Sequence, residues 1–181
     1  MVSPVDANNQ DFMTRTLRQA AQETGTDFNF LLRTAARESN FDVRAEASTS
    51  SASGLFQFIE QTWLGVMQRR GAEHGYEDAA AAISRDANGR YVVEDPVQRQ
   101  RILDLRFDAE ASARMAGELA AENAAVIQTR IGRPASGGEL YAAHFLGAQG
   151  AASLIEAAEN NPQGRADQLF PAAARANRAI F

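Results

Sequence analysis

Apolar residues recur at helical spacing along most of the chain, and the breaks between them carry turn and capping residues. A first helix is predicted from about Asp11 to Thr24, with Phe12, Leu17, Ala20 and Ala21 facing inward and Gly25 ending it. Asp27 then caps a second helix whose apolar face runs through Phe28, Leu31, Leu32 and Ala35. Glu38 continues that i, i+3, i+4, i+7 stripe at the helix end, while Arg33 and Arg37 fall on the opposite side. The hydroxyl-rich run Ser48-Thr49-Ser50-Ser51-Ala52-Ser53 opposes a regular helix and reads as a loop held by local side-chain to backbone bonds. A third helix begins at Gln57 or Glu60 and reaches Arg70, with Phe58, Ile59, Trp63, Val66 and Met67 as its apolar set.

Farther on, residues 71–95 hold a short Ala-rich helix and then a turn or small hairpin across 86–93. Asp95-Pro96 is a helix start, with a cap residue followed by Pro at the first helical position. Asp108 opens a long helix to about Ile131, with Ala113, Ala116, Leu119 and Ala120 inward. Ser136 begins a helix containing Leu140, Tyr141, His144, Phe145 and Leu146, interrupted at Gly147 and Gly150 before Ala151–Glu159. The tail from Asn160 to Phe181 reads as a loop and one short Ala-rich helix. Residues 1–9 are polar and read as a flexible segment. The fold class is therefore all-α, with a single domain over residues 10–181.

Composition narrows the function. At 181 residues the chain can bury a core without staples. Alanine supplies about a fifth of it and Pro is scarce, which favours helix. A net charge of −5 with no basic stripe argues against nucleic acid as a partner. Without Cys there are no disulfides, thiol nucleophiles or thiolate metal sites, and two histidines make a His-rich metal site unexpected. No cofactor motif stands out. No stretch approaches the roughly 20 apolar residues of a membrane span. Met1 to Asp11 lacks the basic and apolar pattern of a signal sequence, so a periplasmic location would imply a mature form or another export route.

Glu38 is the residue that carries chemistry. A carboxyl held against apolar surface can stay protonated near neutral pH and serve as a general acid. Taken alone, a helix-end Glu on an apolar stripe is usually structural. Here Ser39 adds a hydroxyl beside it, the loop to Ser53 can wall a cleft, and Gly54 permits a tight turn that aims Gln57 back toward Glu38.

These residues carry a family resemblance. Glu38-Ser39, the loop from Ser48 to Gly54 and Leu55-Phe56-Gln57-Phe58 resemble the first two motifs of the soluble lytic transglycosylase catalytic domain, written Glu-Ser and Ser-x-x-Gly-Ala-x-Gly-Leu-Met-Gln. Ser48, Ala52, Gly54, Leu55 and Gln57 match; Phe56 replaces Met and Ser51 replaces the first Gly. The family's third motif, Ala-Tyr-Asn-x-Gly, is met by Ala143-His144-Phe145-Leu146-Gly147, in which only Ala143 and Gly147 match. Tyr141, one turn earlier, could supply the missing phenol, and no late tyrosine is present.

The resemblance implies a lysozyme-like helical fold acting on the glycan strands of peptidoglycan, with Glu38 as the single acid and base. In that chemistry the muramic acid's own C6 hydroxyl attacks internally and leaves a 1,6-anhydro end. It implies substrate-binding roles for Ser39, Ser53, Phe56, Gln57, Tyr141 and His144, no metal, no cofactor and a periplasmic location. Enzymes of this kind serve flagellar, secretion or phage assemblies. The residues themselves leave alternatives open. His144 lies on an apolar helix face, where a core histidine is the ordinary outcome, and Phe56, Phe58 and Trp63 read as core. A second carboxylate, from Asp42, Glu46 or Glu60, would restore simple hydrolysis, although ion pairs with Arg44 or Arg37 are the expected use of those groups. A wall-binding module without catalysis is the remaining alternative.

Overall fold

The computed structural model describes residues 4–176. Helix accounts for 70% of it and strand for 4%, so the protein is mainly α. The chain forms two compact units that divide between Leu119 and Ala120, where a single domain over 10–181 is expected from the sequence.

The first unit opens with α1, Pro4–Thr24, and α2, Phe28–Ser39. Helix α1 begins earlier than the periodicity predicts: residues 4–9 are helical rather than loose, and residues 1–3 lie outside the described residues. Leu17 and Ala20 are buried as expected, but Phe12 is 43% exposed. Five residues separate Phe12 from Leu17, which at 3.6 per turn puts them about 140° apart, on different faces. Asp27 caps α2, its carboxylate accepting from the Phe30 N–H at 2.8 Å, and Leu31 and Ala35 are fully buried.

After a loop come α3, Glu60–Arg70, a 3-10 turn at Gly71–His74, and α4, Glu77–Ala82. Ile59 is 47% exposed because it precedes α3 as its cap instead of joining its inner face. The expected hairpin is present: β1, Ser84–Arg85, pairs antiparallel with β2, Tyr91–Val92. Asp86 closes its turn by accepting from Asn88 and Arg90 N–H, and the Gln61 amide holds the Tyr91 main chain through two 2.9 Å bonds. Asp95 and Pro96 start α5, Pro96–Asp104, as predicted, and a 3-10 turn at Leu105–Phe107 leads into α6, Ala109–Ile131. The core gathers Leu17, Leu31, Leu55, Trp63, Ile102 and Met115, with the Trp63 indole N–H bonded to the Ile102 carbonyl at 2.8 Å.

A partly buried polar network ties this unit's helices together. His74 Nε2 lies 2.8 Å from Glu118 on α6, and its Nδ1 faces Glu23 of α1 at 3.8 Å. Arg114 holds Glu23 at 2.7 Å, and that bond keeps the Glu23 carboxyl below the usual range. Arg70 reaches Glu118 at 3.6 Å, so each of these two carboxylates faces a cation.

The second unit contains the end of α6 and α7, Gly137–Asn160. Ser136 and Glu139 make a reciprocal capping box, and Arg133 clamps Glu139 and Glu159 at 2.7 Å each. Gly147, at φ 66 and ψ 167, breaks the helical path, whereas Gly150 remains helical. Ile127, Ala143, Ala151, Ala152 and Ile155 form this unit's core. The tail has two short helices where one is expected, α8, Ala166–Leu169, and α9, Pro171–Ala176. Pro171 is the reason: the residue before proline is disfavoured from the helical region. Among the described residues no helix is long and apolar enough to cross a membrane.

Candidate functional site

Glu38 sits in the last turn of α2, half-buried, with its neighbour Arg37 exposed. Helix α2 stops because Asn40 and Phe41 both turn left-handed, at φ 51 and 65, and their N–H groups return to the Ala36 and Ala35 carbonyls at 3.0 and 3.3 Å. The Ser39 hydroxyl then does two things. It lies 3.2 Å from the Ala35 carbonyl within its own helix and 2.8 Å from the Leu55 carbonyl across the loop. One O–H has one proton, so the shorter bond, to Leu55, is its main engagement.

That bond joins the end of α2 to the turn Gly54-Leu55-Phe56-Gln57. Ser53 and Phe58 close the turn by exchanging both main-chain bonds, at 3.2 and 3.1 Å, and Ser53 also pairs with Glu46. Two left-handed residues shape the turn, Gly54 at φ 77 and Gln57 at φ 49. Gly54 has no substitute: a Cβ there would come within 1.9 Å of the Arg106 carbonyl oxygen. The Gln57 side chain locks the turn in place. Its Nε2 donates to the Ala45 and Gly54 carbonyls at 3.1 and 3.0 Å. Both partners are acceptors, which fixes the amide orientation and leaves Oε1 as the group that can accept from a ligand.

Arg106 is the residue that sequence reasoning missed. It is 8% exposed, and its guanidinium donates to the Leu103, Ser51 and Phe58 carbonyls at 3.0, 2.7 and 3.2 Å. Burial pulls its pKa down from the ordinary arginine value. Its only signal in the sequence was an arginine between Leu105 and Phe107, flanked on both sides by large apolar residues. In the loop itself, Ser51 Oγ accepts from the Glu60 N–H at 3.2 Å at the start of α3, and Ser50 Oγ accepts from the Ala52 N–H at 3.2 Å.

The residues expected to meet substrate thus divide. Glu38 and Gln57 remain accessible, both half-buried. Ser39 holds two main-chain segments together. Ser53 is 8% exposed, with its hydroxyl 3.4 Å from the Ser51 carbonyl, and serves the backbone pairing. Phe56 is 3% exposed and packs in the core, as its apolar neighbours predict, and not under a sugar site as the resemblance implies.

Two of the three candidate second carboxylates have other partners. Asp42 Oδ1 accepts from the Arg44 N–H at 2.8 Å, closing a local turn. Glu60 pairs at 2.5 Å with Arg99 of α5, not with Arg44 or Arg37. Glu46 is exposed. Among the described residues no group of three or more His, Asp or Glu is placed to hold a metal ion.

Tyr141, His144 and Phe145 lie on α7, in the second unit. The Tyr141 and His144 rings are parallel, with centroids 5.9 Å apart and 2° between their planes, and Phe145 meets both edge-on at 5.3 and 5.2 Å. His144 is exposed, so it is not the core histidine that its spacing predicts. The i, i+3 and i+4 positions put all three rings on one side of the helix. No established protein-family profile matches the chain.

Proposed function

We propose that this protein is a peptidoglycan lytic transglycosylase, cleaving the β-1,4 bond from N-acetylmuramic acid to N-acetylglucosamine and leaving 1,6-anhydro ends. The observation that carries the reading is the Ser39 to Leu55 bond of 2.8 Å. It binds the helix end bearing Glu38 to the Gly54–Gln57 turn, so the two motifs that resemble the family belong to one substructure. Glu38 donates a proton to the glycosidic oxygen as positive charge develops at the anomeric carbon. It then takes the proton of the C6 hydroxyl, whose oxygen closes onto that carbon. The attacking group is already tethered, which gives an intramolecular advantage, and no water is consumed.

The fates of Asp42 and Glu60 support internal attack over hydrolysis, since one accepts from a main-chain N–H and the other faces Arg99. Gln57 Oε1 is suited to accept from a substrate hydroxyl or acetamide N–H, and the Tyr141–His144 pair offers a flat ring face to a sugar. The enzyme would work in the periplasm on glycan strands, in the service of a flagellar, secretion or phage assembly. The test is mass spectrometry of digested sacculi with wild-type protein and Glu38→Gln. Anhydro-ended muropeptides from the wild type alone are expected. Reducing ends would assign a hydrolase instead, and retained activity in the variant would remove Glu38 from its role.

A further inference from the structure

A cavity of about 830 Å³ opens between α1, the end of α2 and the start of α6, within the first unit. That is within the roughly 300–1,000 Å³ of pockets that enclose small ligands. Glu38 is not among its lining residues, although Asn40 and Phe41, two and three positions farther on, are. Leu32 lines it, and Leu32 and Glu38 stand six residues apart on α2, about 120° around the helix at 3.6 residues per turn.

Its walls combine two chemistries. Phe12 and Phe41 present exposed rings, 43% and 37% accessible, although buried places are the norm for phenylalanine. Phe41 does so from a left-handed backbone at φ 65, a region that aromatic residues rarely occupy, so its outward placement is imposed by the Asn40–Phe41 turn. Three carboxamide-bearing residues, Asn9, Gln10 and Asn40, line the same cavity. Among the described residues the single charged group on the wall is Asp108, whose Oδ1 accepts from the Ala111 N–H at 2.8 Å, and no basic residue lines the cavity.

We infer that this groove is a second glycan-binding site, taking uncharged N-acetylated sugars against walls that do not include Glu38. A pyranose ring offers a C–H face to a phenyl ring, and its hydroxyl and acetamide edge matches carboxamides, each of which both donates and accepts. A wholly apolar partner would leave those carboxamides unpaired. An anionic ligand, such as a stem-peptide carboxylate, would meet Asp108 with no cation on the wall to offset it. The inference rests on the glycan substrate proposed above; the site would hold the enzyme on the wall between cleavage events.

The experiment is a titration of isotope-labelled Glu38→Gln protein with N,N′,N″,N‴-tetraacetylchitotetraose, followed at the side-chain amides of Asn9, Gln10 and Asn40. Those signals are expected to move with saturation. Phe12→Ser should weaken the response about tenfold, the loss of one aromatic contact, and Phe12→Tyr should retain it. Cellotetraose, which lacks acetamides, should move the signals far less. Unmoved amides at tetramer concentrations that saturate the rest of the protein would overturn the site, and an equal response to cellotetraose would overturn the sugar class. Because the variant needs no turnover, failure of lytic activity in the wild type would sink the proposed function and leave this result legible.

Discussion

The Ser39 hydroxyl lies 2.8 Å from the carbonyl oxygen of Leu55 and bridges sixteen positions of sequence. On one side is the last turn of the helix that carries Glu38; on the other is a turn built from two left-handed residues. A side chain that links two main-chain segments sets their spacing, so its removal acts on geometry before it acts on chemistry. Ser39→Ala should cost about 1 kcal/mol of stability in urea denaturation, the usual value of one such bond. Lytic activity should fall much further than that loss of stability explains. Glu38→Gln should show the complementary pattern, with an unchanged denaturation midpoint and no activity.

Gly54 separates two kinds of glycine effect. Gly54→Ala adds a Cβ within 1.9 Å of the Arg106 carbonyl oxygen as well as a left-handed penalty at φ 77. Gly25→Ala adds only the second, at φ 69 with nothing within 4 Å. We expect roughly 1–2 kcal/mol for Gly25→Ala and a loss of native cooperative unfolding for Gly54→Ala. Thermal denaturation of the two variants side by side decides it.

Arg106 should resist conservative replacement. Its guanidinium serves the Leu103, Ser51 and Phe58 carbonyls at once, and a lysine ammonium cannot reproduce that planar fork. Arg106→Lys and Arg106→Met are both expected to cost on the order of 3 kcal/mol in chemical denaturation, through the loss of charge-assisted bonds to three carbonyls. An Arg106→Lys protein of wild-type stability would refute the clamp.

Acid should weaken the start of α7 through Glu139. Hydrogen bonds from Arg133, aided by the Ser136 N–H, bring its carboxyl from an ordinary value of 4.5 down to about 2. A carboxyl depressed in the folded state stabilises fully above its unfolded value and loses that contribution as pH falls through the folded one. The stability gap between wild type and Glu139→Gln should therefore be constant above about pH 4.5 and close as the pH approaches 2. The carboxamide oxygen of that variant can keep the Ser136 N–H bond, but its NH2 cannot accept from Arg133, so the comparison reads the charge together with one Arg133 bond. Thermal midpoints measured across that range check it.

The local signals in the sequence were faithful where one short segment decided the outcome. Asp27, Asp95 and Ser136 cap the helices they announce, Gly25 and Gly147 fall where the helical path ends or bends, and the 86–93 run is the turn of a hairpin. Phe12 shows the limit of such reading. It was expected inward with Leu17, although five residues put the two about 140° apart, and only packing reveals that it lines a cavity. Arg106 was silent for a different reason, since its three carbonyl partners come from residues 51, 58 and 103 and none is implied by its neighbours.

By itself, then, the sequence determined the helical class, the caps and the identity of the motif residues, because periodicity, capping and turn chemistry act over a few positions. Tertiary structure decided what those residues do. It gave Glu60 to Arg99 and joined Ser39 to Leu55. Such contacts depend on where distant segments meet, and a hydroxyl or carboxylate takes whichever partner the packed chain brings within reach.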